Sequence, residues 1–302
     1  MTTAGEILTA SESNSAWART ADFLELTKPR ITLLVVATTL VGFYVGSRAS
    51  MPFLLLCHTL LGTGLVASGA SALNQYLERH LDALMLRTLS RPLPAGRLQS
   101  GEALIFAVFI SSAGMIYLFA FVNPLTSLLA ALTLLGYLFL YTPLKTRTWL
   151  STLIGAVPGA LPTAMGWAAV NNGLSAGAWV LFAIVFFWQL PHFYAIGWMY
   201  REDYARAGFP MLPIIDLSGA RTGRQVNLYI VALVLATVLP SLMGLTGYAY
   251  LGGALALGVL FLAYGAIFAR LRDRNSARRL FLVSVCYLPI LLVLMALDKV
   301  RP

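Results

Sequence analysis

Charged residues are scarce. Asp, Glu, Lys and Arg supply 11% of the 302 residues, against 59% hydrophobic, where a soluble domain carries about 25% charge. So large an apolar excess cannot be hidden in one core, because the surface of a chain this size still has to meet water. Soluble-enzyme and disordered readings are excluded. Cysteine is scarcer still: Cys57 and Cys286 are the whole complement, which excludes a disulfide scaffold and leaves two small hydrophobes. A targeting segment is also lacking. The opening MTTAGEILTASESNSAWART has no apolar stretch for a signal peptide, and Glu6 and Glu12 against a single Arg do not make a mitochondrial presequence.

What is present is long apolar runs. Nine can be read, over about 31–46, 51–73, 103–122, 125–144, 149–170, 176–199, 226–247, 248–269 and 280–297, and none contains Asp, Glu, Lys or Arg. Each is long enough, or nearly so, to cross about 30 Å of hydrocarbon as a helix. Continuous runs such as LYIVALVLATVL lack the alternation of barrel strands. The fold class is therefore all-α: a polytopic membrane protein of nine transmembrane helices around an intramembrane cavity. Residues 1–30 form an N-terminal tail and 31–302 a single nine-helix domain.

With nine spans the connections alternate sides, and 18 of the 21 Lys and Arg fall on one of them. Arg48, Lys299 and Arg301 are the exceptions. The positive-inside rule makes the rich side cytoplasmic, with the N-terminus inside, and a bacterial cell inner (cytoplasmic) membrane is the expected home. The net charge of +9 is then topogenic, with the remainder suited to the lipid bilayer's anionic leaflet or an anionic substrate. No nucleic acid partner is called for. The connections on this side are the long ones, and long connections tend to be functional.

The first long loop reads SALNQYLERHLDALMLRTLSRPLPAGRL from Ser71. Asn74, Glu78 and Asp82 are four apart, so a helix continuing through them presents two carboxylates and an amide oxygen on one face. That oxygen set suits Mg2+, which takes one or two carboxylates and leaves its other positions to water and phosphates. Arg87, Arg91 and Arg97 follow as cations able to clamp phosphate oxygens. On spacing alone, a solvated juxtamembrane helix fits the row equally well. A second loop, after the sixth span, carries Glu202 and Asp203 between Arg201 and Arg206. Two acidic–basic loops on one face are able to serve one diphosphate through two metal sites. Lys145 and Arg147 add cations on the same side.

At these residues the chain resembles the UbiA-type intramembrane prenyltransferases, and within them the haem-farnesylating family. The resemblance rests on N-x-x-x-E-x-x-x-D-A-L-M-x-R-T-x-x-R-P-L-P-A-G-R from Asn74, Tyr141-Thr142 with Lys145, GAVPGALP from Gly155, PHFY from Pro191 and YREDYARAGFPMLP from Tyr200. It covers roughly Lys28 to Pro213. Glu78 stands where the general pattern has aspartate, and Glu202-Asp203-Tyr204 replaces a fuller aspartate cluster.

The resemblance implies transfer of a farnesyl group from farnesyl diphosphate to a vinyl group of haem b, followed by addition of water. It implies Mg2+ on Asn74, Glu78 and Asp82, helped by Glu202 and Asp203. Lys145, Arg147 and one or more of Arg87, Arg91 and Arg201 would neutralise the diphosphate. His192, beside Pro191, would contact haem, and a downstream haem-modifying or oxidase-assembly protein would receive the product. Other prenyl acceptors, such as a quinone-precursor aromatic acid, remain open at this point. A transporter fits less well, because ion-coupled transporters commonly carry ionisable residues at mid-membrane. Here all the acids gather at the rims.

Overall fold

The computed structural model describes residues 17–47 and 51–300. Glu6, Glu12, Arg48 and Arg301 lie outside the described residues. Within them are nine helices long and apolar enough to cross a membrane: α1 (Pro29–Gly46), α2 (Phe53–Asp82), α3 (Ser100–Phe121), α4 (Pro124–Leu144), α5 (Ser151–Asn171), α6 (Ala176–Met199), α7 (Ala220–Leu242), α8 (Tyr248–Leu271) and α9 (Arg274–Leu297). The chain is a multi-pass membrane protein. Helix is the only way for so much backbone to satisfy its hydrogen bonds in lipid without closing a barrel. Several helices outrun their apolar runs. α2, at 30 residues, carries its polar row Asn74–Asp82 beyond the hydrocarbon as unbroken helix.

α5 and α6 form the centre, with 67% and 61% of their membrane windows buried, against 39% or less for every other span. α1 and α4 pack on α5, with α2 and α3 beyond them, while α7 and α9 pack on α6 with α8 outside. Lipid tails are as apolar as leucine, so close backbone approach rather than burial drives such packing. The α1–α5 contact shows this. A Cβ on Gly42 would run into the Thr163 carbonyl, and one on Gly166 into the Thr39 carbonyl. Pro158 and Pro162 lie inside α5 and Pro191 inside α6, and both helices run through them.

α4 widens into a π-helical turn over Gly136–Tyr141. Pro143 has no N–H to donate and its ring crowds the carbonyl four residues back, so the helix ends on a wide turn in which Thr142 N–H reaches the Tyr137 carbonyl. Such turns recur at functional sites. Beyond this one Lys145 reaches Glu78 on α2, while the Tyr141 ring lies over Gly155 of α5. Two smaller helices, residues 17–26 and Arg201–Arg206, lie at the same end of the bundle.

Candidate active site

The C-terminal half of α2 carries the site. Asn74, Glu78 and Asp82 are 2%, 5% and 1% exposed, which sets aside the solvated-helix alternative. Each oxygen group is met by a cation from a different element. Lys28 Nζ, at the start of α1, donates to Asn74 Oδ1 at 3.2 Å. Lys145 Nζ, at the end of α4, donates to Glu78 Oε1 at 2.6 Å. Arg91 Nη1, in the α2–α3 loop, donates to Asp82 Oδ2 at 2.7 Å. Thr88 closes that loop by donating to the Asp82 carbonyl at 2.7 Å, which brings Arg91 back over the helix end. Asn74 Nδ2 in turn donates to Thr142 Oγ1 at 3.4 Å, and the Lys145 ammonium lies 4.5 Å from the Tyr141 ring centroid.

The cations feel one another. Burial, then the charges of Arg91 and Lys145, pull Lys28 down to about 7, while Glu78 and Asp82 push the other way. Burial also opposes the charge on Lys145, but Glu78, by charge and hydrogen bond, holds it above the usual lysine value. Lys28 is half-buried, and an anion arriving beside it would favour its charged form.

The donor set fits Mg2+ in kind: an amide oxygen and two carboxylates, all hard and all buried. Eight residues of helix separate Asn74 from Asp82 by about 12 Å, so one ion can span neighbours four apart and not the whole row. No cluster of three or more His, Cys, Asp or Glu occurs among the described residues.

The second acidic loop is stapled against the first. Arg87 Nη2 donates to Tyr204 Oη at 2.9 Å, and its guanidinium lies over the rings of Tyr200 and Tyr204, 4.9 and 5.0 Å from their centroids. Met85, Ala207 and Phe209 form a small apolar cluster beneath. Asp203 is buried and paired with Arg206; Glu202 is exposed. Arg201 stacks on Trp198 at 4.5 Å, and Arg147 is exposed.

Two sequence expectations meet different surroundings. Arg97 turns away from the acidic row and holds Asp22, Glu25 (2.7 Å) and the Ser90 carbonyl (2.9 Å). The His192 ring lies between α6 and α9. Its Nδ1 bonds Ser284 Oγ at 2.8 Å, and it stacks on Trp188 with Phe193 and Phe281 beside it. Lys28 is the residue that sequence reasoning missed, having been counted only as a topogenic charge. Its signal was the Lys-Pro step at the mouth of the first span. A cavity of ≈ 440 Å³ lies at the other end of the bundle, lined by Trp167, Asn171 and Lys299 among others. There the Lys299 ammonium caps the Tyr44 carbonyl at 2.6 Å, far along the helices from the acidic row.

Residues 35–288 match the UbiA prenyltransferase family. The chain is 50% identical over 287 residues to the protoheme IX farnesyltransferase of Solibacter usitatus, covering 92% of this chain and 98% of that one. It is 43% identical over 284 residues to the protein of that name from Opitutus terrae, covering 93% and 96%. Among solved structures, a digeranylgeranylglyceryl phosphate synthase superposes with a TM-score of 0.77 at 17% identity, over 92% of this chain and 97% of that one. A UbiA homologue from Archaeoglobus fulgidus, bound to GPP and Mg2+, superposes at 0.61 and 15% identity, over 91% and 99%. These last two share the fold. With the match running through seven whole spans, most of the first and last, and the whole acidic row, the chain belongs to the UbiA prenyltransferase family.

Proposed function

We propose that the protein transfers the farnesyl group of farnesyl diphosphate to a vinyl group of haem b, with Mg2+ as the metal and the acidic row on the cytoplasmic side. The observation that carries this is the buried row Asn74–Glu78–Asp82 with a cation on each member. It lies in a chain half identical to a protoheme IX farnesyltransferase along nearly its whole length.

Asn74, Glu78 and Asp82, with Asp203 and Glu202 from the facing loop, are the residues that would hold Mg2+. The metal supplies Lewis acidity toward the diphosphate oxygens. The chain's own contribution is positive charge fixed in advance where negative charge develops. Lys28, Lys145 and Arg91 each meet one member of the row, and Arg87, Arg147 and Arg201 would add to them. As the C1–O bond of farnesyl diphosphate breaks, the electron pair leaves with the diphosphate and meets these cations. The vinyl π pair of haem forms the new C–C bond. Water then adds to the cation left on the vinyl carbon and loses a proton, giving the hydroxyethylfarnesyl group. Between the rims the spans offer no carboxylate or amine to intercept the farnesyl cation.

His192 faces haem in this reading. Its Nδ1 is engaged by Ser284, so Nε2 would be the nitrogen to meet haem, in the way that a partner on one ring nitrogen orients the other. The excess of Lys and Arg on the side of the acidic loops supports a cytoplasmic site. A reporter fused before Trp17 should be active only in the cytoplasm.

The direct test incubates purified protein with haem b, farnesyl diphosphate and Mg2+ and seeks farnesylated haem by mass spectrometry. Chelation should stop the reaction and added Mg2+ restore it. Turnover of an aromatic acid in place of haem would move the protein to another prenyltransferase activity, and no prenyl transfer at all would refute the reading.

A further inference from the structure

Lys28 sits in an unlikely backbone. Its φ of 48° and ψ of 66° are left-handed, a region that L side chains avoid, and the following Pro29 restricts it further. Such a residue persists only where its surroundings over-determine it. The surroundings here are the helix over residues 17–26 and what holds that helix down. Leu26 is fully buried, and its carbonyl accepts from Gln75 Nε2 at 2.9 Å, on α2 beside Asn74. Phe23 packs on Phe106 with ring centroids 4.9 Å apart. Across the outer side lies Arg97. One guanidinium bonds Asp22 and Glu25 of the helix and, through the same Nη2 that reaches Glu25, the carbonyl of Ser90. Ser90 is the residue before Arg91, which holds Asp82.

We propose that Arg97 is a positioning residue: it latches the 17–26 helix to the α2–α3 loop, and so fixes Lys28 and Arg91 together as the two outer jaws of the diphosphate site. The proposal rests on the diphosphate reading above and adds to it a residue that touches neither substrate nor metal. A free cation at this position would serve as a phosphate clamp. With three acceptors already on it, Arg97 acts instead through the two elements it joins. Arginine suits the task because its planar fork serves several acceptors at once, which an ammonium does less well.

The test separates placement from contact. Arg97→Gln should raise the KM for farnesyl diphosphate about three- to fivefold, the scale that a partly exposed guanidinium paired with acids supports. The KM for haem should stay within about twofold, a split between the two substrates that general loss of folded protein does not produce. Asp22→Asn/Glu25→Gln leaves Arg97 in place but unlatched. It should raise the same KM by a similar factor, and adding Arg97→Gln to it should raise it little further. If Arg97 instead touched diphosphate directly, freeing it from its acids would leave that KM unchanged or lower it, and the latch would be overturned. An unchanged KM in Arg97→Gln would overturn it too. Arg97→Lys should fall between the two, and the acid pair carries the test if Arg97→Gln fails to fold.

Calorimetry with inorganic pyrophosphate and Mg2+ keeps the two readings apart. Wild-type protein that binds no pyrophosphate refutes the diphosphate site itself. Wild type that binds while Arg97→Gln binds equally well refutes only the latch.

Discussion

Asp82→Asn separates chemistry from folding. The carboxylate is 1% exposed, stands at the last residue of α2 and accepts from Arg91 at 2.7 Å. Asparagine keeps the shape and one oxygen for Arg91 but removes the charge. Two opposing effects then act on stability. A negative charge at a helix C-terminus opposes the macrodipole by about 0.3–1 kcal/mol, so neutralising it is favourable by that amount. Losing the charge assistance in the bond to Arg91 costs about 1.5 kcal/mol or somewhat more. The larger penalty for stranding a buried charge does not arise, because the Arg91 side chain is 26% exposed and reaches water. The net loss is about 1 kcal/mol, and the variant folds. Turnover is another matter. Removing one preorganised group that stabilises developing charge typically lowers kcat by about 10²–10³. The assay is steady-state farnesylation of haem at saturating substrates, beside a thermal melt in detergent. The expected result is a melting midpoint within a few degrees of wild type and turnover down by about a hundredfold or more. Turnover within threefold of wild type would refute the assignment of Asp82 to the metal–diphosphate site, as would a loss of activity no larger than the loss of folded protein.

Other perturbations test the surrounding structure. Lys145→Met strands the buried Glu78 carboxylate, so both turnover and stability should fall, stability by about 3 kcal/mol. Adding Glu78→Gln should restore the melting midpoint but not the activity. Gly166→Val drives a side chain into the Thr39 carbonyl and Phe43 N–H and should cost at least about 1–3 kcal/mol, read as a lower melting midpoint with weakened α1–α5 packing. Asp216 accepts from Thr222 N–H and Oγ1 at the start of α7, at 2.8 and 3.0 Å. Burial there opposes its charge, but these bonds and that from Ser218 outweigh it and hold the carboxyl below its ordinary 3.8. The stability this contributes is present above about pH 4 and is lost as pH falls through the depressed value. Asp216→Ala should therefore cost about 1 kcal/mol at pH 7 and progressively less as pH falls below about 4, as followed by melts across pH.

The spans and the acidic face could be read from the chain because each follows from a local rule. Backbone in lipid must be helical, and residues four apart on a helix share a side, so Asn74, Glu78 and Asp82 had to align once α2 ran on to Asp82. Periodicity says which face a side chain takes, but not which element arrives to meet it. Arg87 meets Tyr204 across 117 residues, and His192 meets Ser284 across 92; neither partner is written near the residue that needs it. Arg97 looked like one more phosphate clamp because its neighbours in sequence are basic, yet its partners Asp22 and Glu25 lie more than 70 residues away. Lys28 was hidden by its context. In a chain that sorts 18 of 21 cations to one side, one more lysine before a span carries no distinguishing mark. Only its left-handed backbone turns it inward.

That lysine completes the charge balance of the site. Lys145 and Arg91 each face a carboxylate, Glu78 and Asp82, and those two pairs cancel. Lys28 faces an amide oxygen rather than a carboxylate, and burial, then the charges of Arg91 and Lys145, hold it down to about 7. A prenyl diphosphate carries about three negative charges near neutral pH, phosphate oxygens of this kind losing their last proton near pH 6. Together with one divalent cation it arrives with about one negative charge. An incoming pair with net negative charge would favour the charged form of Lys28, so binding and protonation of Lys28 would reinforce one another. A neutral or positively charged ligand would not do this. Lys28→Met should therefore weaken binding of the Mg2+–pyrophosphate pair while leaving the Glu78 and Asp82 ion pairs intact, and calorimetry on that variant reads the difference. Affinity equal to wild type would refute that coupling.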